Sequence, residues 1–277
     1  MSGAAATAAA RRVQMGEAEA RFDLGGIVIA FASPSAEWLS ELGKRFRGFE
    51  SATEPSFRIR YCPRKGAVAP AETIGGPMPP LVRPHPGGRG IEILGPGFAA
   101  RADLEHGTAE VEGPAAVYPV DMVLRELLPA LTTGVILHCA LLGDGMATWA
   151  CGGASGSGKS TLAALLPEHA LCDELAHIAD CDGRFHGRSL PYWEARPGGA
   201  PLAGIAILRH GAEHRRTPLT LPQALRALAT EVVWPTFSEP AMERRFAALG
   251  RLVESVPVWQ LEFAPRADVW DVITAEA

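Results

Sequence analysis

Lysine is almost missing from this 277-residue chain. It occurs as Lys44, Lys65 and Lys159, so arginine carries nearly all the positive charge. There is no basic excess either. The formal net charge is −5, which argues against a nucleic-acid partner, because neutralising phosphates needs a basic surface. No apolar run approaches the roughly 18 residues of a membrane span, so no membrane partner is expected. A secretory leader is not expected, since Met1–Ala10 is small and Ala-rich without a long apolar stretch after a charged one. The five cysteines (Cys62, Cys139, Cys151, Cys172 and Cys181) are odd in number. They fit a reducing cytoplasm, as buried thiols. What remains is ordinary for a globular protein: 47% hydrophobic and 21% charged residues, enough for a core without staples, in one large domain or two small ones.

Residues 1–20 read as a disordered Ala-rich arm. A small α+β region is expected over 21–118. It holds strands at Gly26–Phe31 and Ser56–Tyr61 around a helix at Ala36–Phe46. A Pro- and Gly-dense loop over 62–90 follows, then short strands at Gly90–Leu94, Gly97–Ala102 and Thr108–Val111. The character changes over 119–277. Val120–Leu131 has helical apolar spacing. Two apolar runs, Gly134–Leu142 and Met146–Cys151, flank Gly143-Asp144-Gly145, which is a hairpin signal. Beyond them a short helix (Leu162–Leu166) leads to a strand (Ala170–Ala179), a turn at Asp182-Gly183, and strands at Arg184–Gly187 and Ala203–Leu208. Helices at Leu221–Glu231 and Pro240–Val256 and a strand at Val258–Phe263 complete the pattern. The fold class expected is α/β, a mixed sheet with flanking helices.

One of the three lysines lies in Gly153-Ala154-Ser155-Gly156-Ser157-Gly158-Lys159-Ser160-Thr161, which matches G-x-x-x-x-G-K-[ST] without a gap. The spacing follows from the chemistry. Gly153, Gly156 and Gly158 let successive N–H groups turn inward as an anion nest. The helix that follows adds the positive end of its dipole. Lys159 is expected to bridge the β- and γ-phosphates of ATP, and the Ser160 hydroxyl to bind Mg²⁺. An apolar strand before the loop and a helical run after it are the context the motif requires. A phosphate site of this kind also needs a carboxylate at the end of a neighbouring strand. Asp173 and Glu174, which follow the short apolar start Leu171-Cys172, are the candidates.

The P-loop, the Asp173-Glu174 pair and the upstream Leu137-His138-Cys139-Ala140 together resemble the catalytic domain of HPr kinase/phosphorylase. The resemblance is closer to the HPr-kinase-like proteins found beside peptide-maturation genes. It covers roughly residues 134–210, and more loosely the helical tail with Arg226, Trp234-Pro235 and Val256-Pro257-Val258. The resemblance implies an ATP-dependent phosphotransferase acting on a serine or other hydroxyl of a peptide or protein. It also allows a homo-oligomer. Asp173 would be the general base, Glu174 would assist metal or acceptor binding, and His138 would lie near the acceptor or the transferred phosphate. The pattern departs from the family in three ways. The acidic pair is Asp-Glu rather than Asp-Asp. The Lys159–Asp173 span is short by about three residues, roughly one helical turn. The later Glu-Ile-Arg-Gly segment and the basic HPr-gripping loop are missing, and Glu194 is the candidate for the lost acid, a metal ligand. Two rivals stand beside this reading: a P-loop ATPase or GTPase without an acceptor, and a non-catalytic nucleotide-binding module.

Other groupings read more plainly. Cys172, His177, Cys181 and His186 faintly suggest a zinc module, but their spacing matches no common pattern, and buried thiols with surface imidazoles are the expectation. Arg209-His210 and Glu213-His214-Arg215-Arg216 read as a solvated charged turn. Trp193, Trp234, Trp259 and Trp270 read as core or interface aromatics.

Overall fold

A computed structural model describes residues 17–64, 80–85, 90–192 and 195–275. The chain is mixed α/β, with two mixed sheets. Its described residues divide into two compact units, 17–22 with 28–122 and 23–27 with 123–275. The sequence places a single boundary at 118/119.

The first unit holds β1 (Ala18–Asp23), β2 (Val28–Ser33), α1 (Ala36–Arg45), β3 (Phe57–Pro63), β4 (Leu81–Pro84), β5 (Ile91–Gly95), β6 (Phe98–Asp103) and β7 (Thr108–Gly113). The strands form one sheet in the order β1-β2-β3-β7-β6-β5-β4. Residues 18–20, expected in a disordered arm, instead enter β1. The alternating apolar residues there, ending in fully buried Phe22, have a sheet to pair with, which no local signal reveals. Residues 1–16 of that arm lie outside the described residues. The Pro/Gly-rich stretch expected as a loop contributes β4 at its far end; residues 65–79 and 86–89 are outside the description. Ser35 caps α1, its Oγ accepting from the Trp38 amide at 3.2 Å. The helix buries Trp38, Leu39 and Leu42, and Trp38 stacks on Tyr61 with ring centroids 4.1 Å apart. A row of residues directly opposite one another, Arg60, Glu110, Arg101, Glu92 and Arg83, crosses five strands with alternating charge. Opposite charges facing across strands favour this register over its slips.

The second unit comprises α2 (Tyr118–Leu131, from Val123), β8 (Val135–Gly143), β9 (Thr148–Gly152), α3 (Lys159–Leu165), β10 (Ala170–Cys172), β11 (Leu175–Cys181), β12 (Arg184–Ser189), β13 (Gly199–His210), β14 (Arg215–Pro218), α4 (Leu221–Ala229), α5 (Glu239–Ser255), β15 (Val258–Phe263) and α6 (Val269–Thr274). The predicted hairpin is β8–β9, antiparallel from Cys139↔Gly152 to Gly143↔Thr148. Asp144 holds its turn, one Oδ1 accepting from the Met146 and Ala147 amides at 2.8 Å each. The Asp182-Gly183 turn joins β11 to β12, both residues at positive φ. The single strand expected over Ala170–Ala179 is broken: β10 and β11 meet at a bend on Asp173-Glu174.

The pairings β8–β11–β12–β13–β9–β8 close on themselves. Gly187 shows how tightly they close. A Cβ there would stand 2.5 Å from Thr148 Oγ1 and 2.8 Å from Leu141 Cδ1. Gly187→Ala should therefore cost about 1–3 kcal/mol through overpacking, measurable by urea unfolding. An unchanged midpoint would show that the strands part more easily than this.

Helices cover both faces. On one face Leu137, Cys139, Leu141, Ala150, Ala176 and Ile178 pack with Leu228 of α4 and Leu249 and Leu252 of α5. On the other, Ala140, Cys151, Ala206 and Trp259 pack with Leu162 of α3 and Val269 and Ile273 of α6. Arg245 of α5 is buried and donates to the carbonyls of Pro129, Thr132 and Gly134. It thus satisfies the end of α2, whose last carbonyls have no helical partner. Burial pushes its guanidinium down to about 10. No described helix is long and apolar enough to cross a membrane.

Candidate functional site

The G-x-x-x-x-G-K-S segment runs from the end of β9 into the first turn of α3. Gly153, Gly156 and Gly158 all have positive φ. At Gly158 the demand is double: φ is 102°, and a Cβ would stand 2.8 Å from the Phe263 ring. Only glycine meets both conditions. Lys159 is 8% exposed and turns back along the loop, its Nζ donating to Gly153 O at 2.5 Å and to Ala154 O at 3.4 Å. Ala154, Ser155, Gly156, Ser160 and Thr161 are exposed. Ser157 is buried, and its Oγ has no hydrogen-bond partner. His210, read in the sequence as part of a solvated turn, reaches the loop with Nε2 2.6 Å from Gly156 O. Three others of that turn are tied up in pairs: Arg215 with Glu262, His214 with Asp268 and Glu213 with Arg266.

Strand register brings the acidic pair toward the loop. Cys172 stands opposite Leu141, and Leu175 opposite His138. These two pairs are in step, so Asp173 falls opposite Ala140, and Glu174 O accepts from the Cys139 amide at 3.2 Å. Ala140 in turn stands opposite Cys151 of β9, and Cys151 opposite Ala206. Directly opposed residues share a face, and Ala140, Cys151 and Ala206 lie on the face that carries α3. Asp173 therefore falls on the face that carries α3, about 10 Å, or two strand spacings, from β9. The short Lys159–Asp173 span suffices for this: α3 has seven residues and leads through one turn into β10.

Glu174 has partners of its own. His138 Nε2 is 3.7 Å from one carboxylate oxygen, and Arg125 of α2 donates to the other at 2.5 Å. His138 and Arg125 together hold this carboxyl down at about 2, against the partial burial that raises it. The Arg125 guanidinium also lies 5.2 Å from the centroid of the Tyr192 ring. A carboxyl depressed on folding stabilises the fold above its unfolded pKa and loses that contribution as pH falls through its folded one. Arg125→Met should accordingly cost about 1–2 kcal/mol at pH 7, the carboxylate being partly solvated. The gap from wild type should close between about pH 4.5 and pH 2. Denaturant melts at pH 7 and pH 3 measure it; a constant gap would mean Arg125 acts through packing alone. Glu194, the candidate for the missing acid, lies outside the described residues, as does Trp193.

The four residues of the zinc-like run scatter over β10, β11 and β12. His177 is buried, with Nδ1 2.6 Å from Gly25 O and Nε2 against Thr133 O, so its ring nitrogens are engaged. Cys172 is buried and Cys181 exposed. Among the described residues no group of three or more His, Cys, Asp or Glu stands together to hold a metal.

Three residues beside these elements carry no sequence signal: Arg125 against Glu174, which an ordinary helix supplies, His210 against Gly156, and Glu231 just beyond α4. Glu231 is buried. Its carbonyl accepts from the His138 amide at 2.8 Å, and its Cγ packs 3.4 Å from where a Cβ on Gly152 would be.

The chain matches no family model and no curated protein.

Proposed function

We propose that the chain is a P-loop phosphotransferase of HPr-kinase type, moving the γ-phosphoryl group of ATP to a serine or other hydroxyl of a peptide or protein. The observation that carries this reading is the row Asp173–Ala140–Cys151. It gives a glycine-rich phosphate loop a carboxylate on its own face. An acid without the loop, or a loop without the acid, would not distinguish transfer from binding.

Asp173 accepts the proton of the acceptor hydroxyl as its oxygen attacks in line. Lys159 and the amides of 153–159 take the charge that develops on the phosphoryl oxygens. For Lys159 this requires exchanging the Gly153 carbonyl for phosphate oxygens. Mg²⁺, when bound, neutralises phosphate charge, and the exposed Ser160 hydroxyl would hold it. Glu174, paired with Arg125 and beside His138, frames the acceptor side. A cytoplasmic setting suits an ATP-dependent reaction.

The test is incubation of the protein with γ-labelled ATP, Mg²⁺ and serine-containing peptides encoded near it. Label on a peptide hydroxyl is the expected result. Free phosphate with no labelled peptide would replace the kinase by an ATPase. Nucleotide binding with no turnover would leave a binding module.

A further inference from the structure

We propose that Glu231 is a carboxylate of the nucleotide site, a ligand, directly or through water, of the divalent cation that accompanies the phosphates. The inference rests on the P-loop reading above.

Two observations place it there. The first is position. The residues after α4 bridge to β8, Val232 opposite Leu137, with the Val233 amide donating to Ile136 O at 2.9 Å. This brings Glu231 against Gly152, the residue before the phosphate loop. Gly152 ends β9, and the next carbonyl, Gly153 O, already holds Lys159 Nζ.

The second is the state of the carboxylate. Glu231 is 7% exposed. Its one hydrogen-bonding contact is Thr230 Oγ1 at 3.4 Å, and that hydroxyl spends its hydrogen on Ala227 O at 2.8 Å. Among the described residues no cation lies within ion-pair distance of it. A buried carboxylate with neither a cation nor a full hydrogen bond is costly.

The chemistry of the donors fits a hard cation: a carboxylate, the Ser160 hydroxyl and, buried in the same loop, the unpartnered Ser157 Oγ. No ready-made cage exists among the described residues. Mg²⁺ suits that arrangement, since it keeps several waters and takes one or two protein ligands plus phosphate oxygens. Glu174, the acid that sequence pattern would nominate, is spent on Arg125.

Calorimetric titration with ATP, once with Mg²⁺ and once with EDTA, tests this on wild type, Glu231→Gln and Glu231→Asp, each checked by thermal melting. Wild type should bind MgATP more tightly than metal-free ATP. Glu231→Gln should lose about 10–100-fold of that metal-dependent gain and bind metal-free ATP as well as before. Glu231→Asp should keep part of the gain. A full metal-dependent gain in Glu231→Gln, or in Glu231→Asp if the glutamine variant does not fold, overturns the inference and leaves the phosphate loop standing. No ATP binding by wild type removes the phosphate-loop reading and this inference with it.

Discussion

Asp173→Asn should slow phosphoryl transfer about 10²–10⁴-fold, the range for a positioned general base, with nucleotide affinity unchanged. Asparagine keeps the size of the side chain and one oxygen, so the bend between β10 and β11 has no reason to move. What it loses is the ability to take a proton. Asp173 is about two strand spacings from the loop, too far to grip the phosphates itself, so binding and chemistry should separate cleanly. Single-turnover transfer of label, alongside calorimetric affinity for the nucleotide, measures both. Transfer by Asp173→Asn at the wild-type rate would remove Asp173 from the mechanism. A parallel loss of affinity would make it a binding residue.

Lys159→Ala should weaken nucleotide binding by about 10–150-fold, the equivalent of one charge-assisted hydrogen bond of roughly 1.5–3 kcal/mol. Transfer should fall about 10²–10³-fold further, as for loss of a group that stabilises transition-state charge. Its Nζ already sits on the loop, bonded to Gly153 O and Ala154 O, so the charge is in place before phosphate arrives. The aliphatic stem is buried, so the variant's melting point without ATP should be recorded too. Lys159→Met, which keeps most of the stem, separates charge from packing. Full nucleotide affinity in both variants would show that the glycine-rich segment is a turn and nothing more.

The sequence is most readable where the causes are local. The β8–β9 hairpin, the loop and α3 follow from alternation, an Asp-Gly turn and a glycine spacing, all within about 30 residues. The strand at Val258–Phe263 likewise matches its expected bounds. Less readable is whatever depends on a distant partner. Strand β1 exists because β2 is there to pair with it. Strand β14 is short and polar, Arg215–Pro218, and is held by β15. Helix α6 is six residues long and is recognised by what it covers. The bend at Asp173-Glu174 cannot be seen in an apolar run that simply continues past it. The site shows the same division. Lys159, Ser160 and Asp173 announce themselves by motif and spacing. Arg125, His210 and Glu231 are ordinary residues on unremarkable segments, made relevant by the register of β8 and the return of the chain after α4.

The closed circuit of strands would also limit how a proposed acceptor could arrive. Beside the phosphate loop, β8 is bonded to β11 and β9, β9 to β8 and β13, and β11 to β8 and β12. Each has both edges taken. Under the proposed function, a peptide acceptor would therefore have no backbone to zip onto there, in contrast to recognition by strand addition. It would have to offer its hydroxyl from a turn or a loose end, side chain first. Selectivity would then rest on the few residues flanking that hydroxyl, and a sequence of quite different backbone shape would be accepted if its tip were the same.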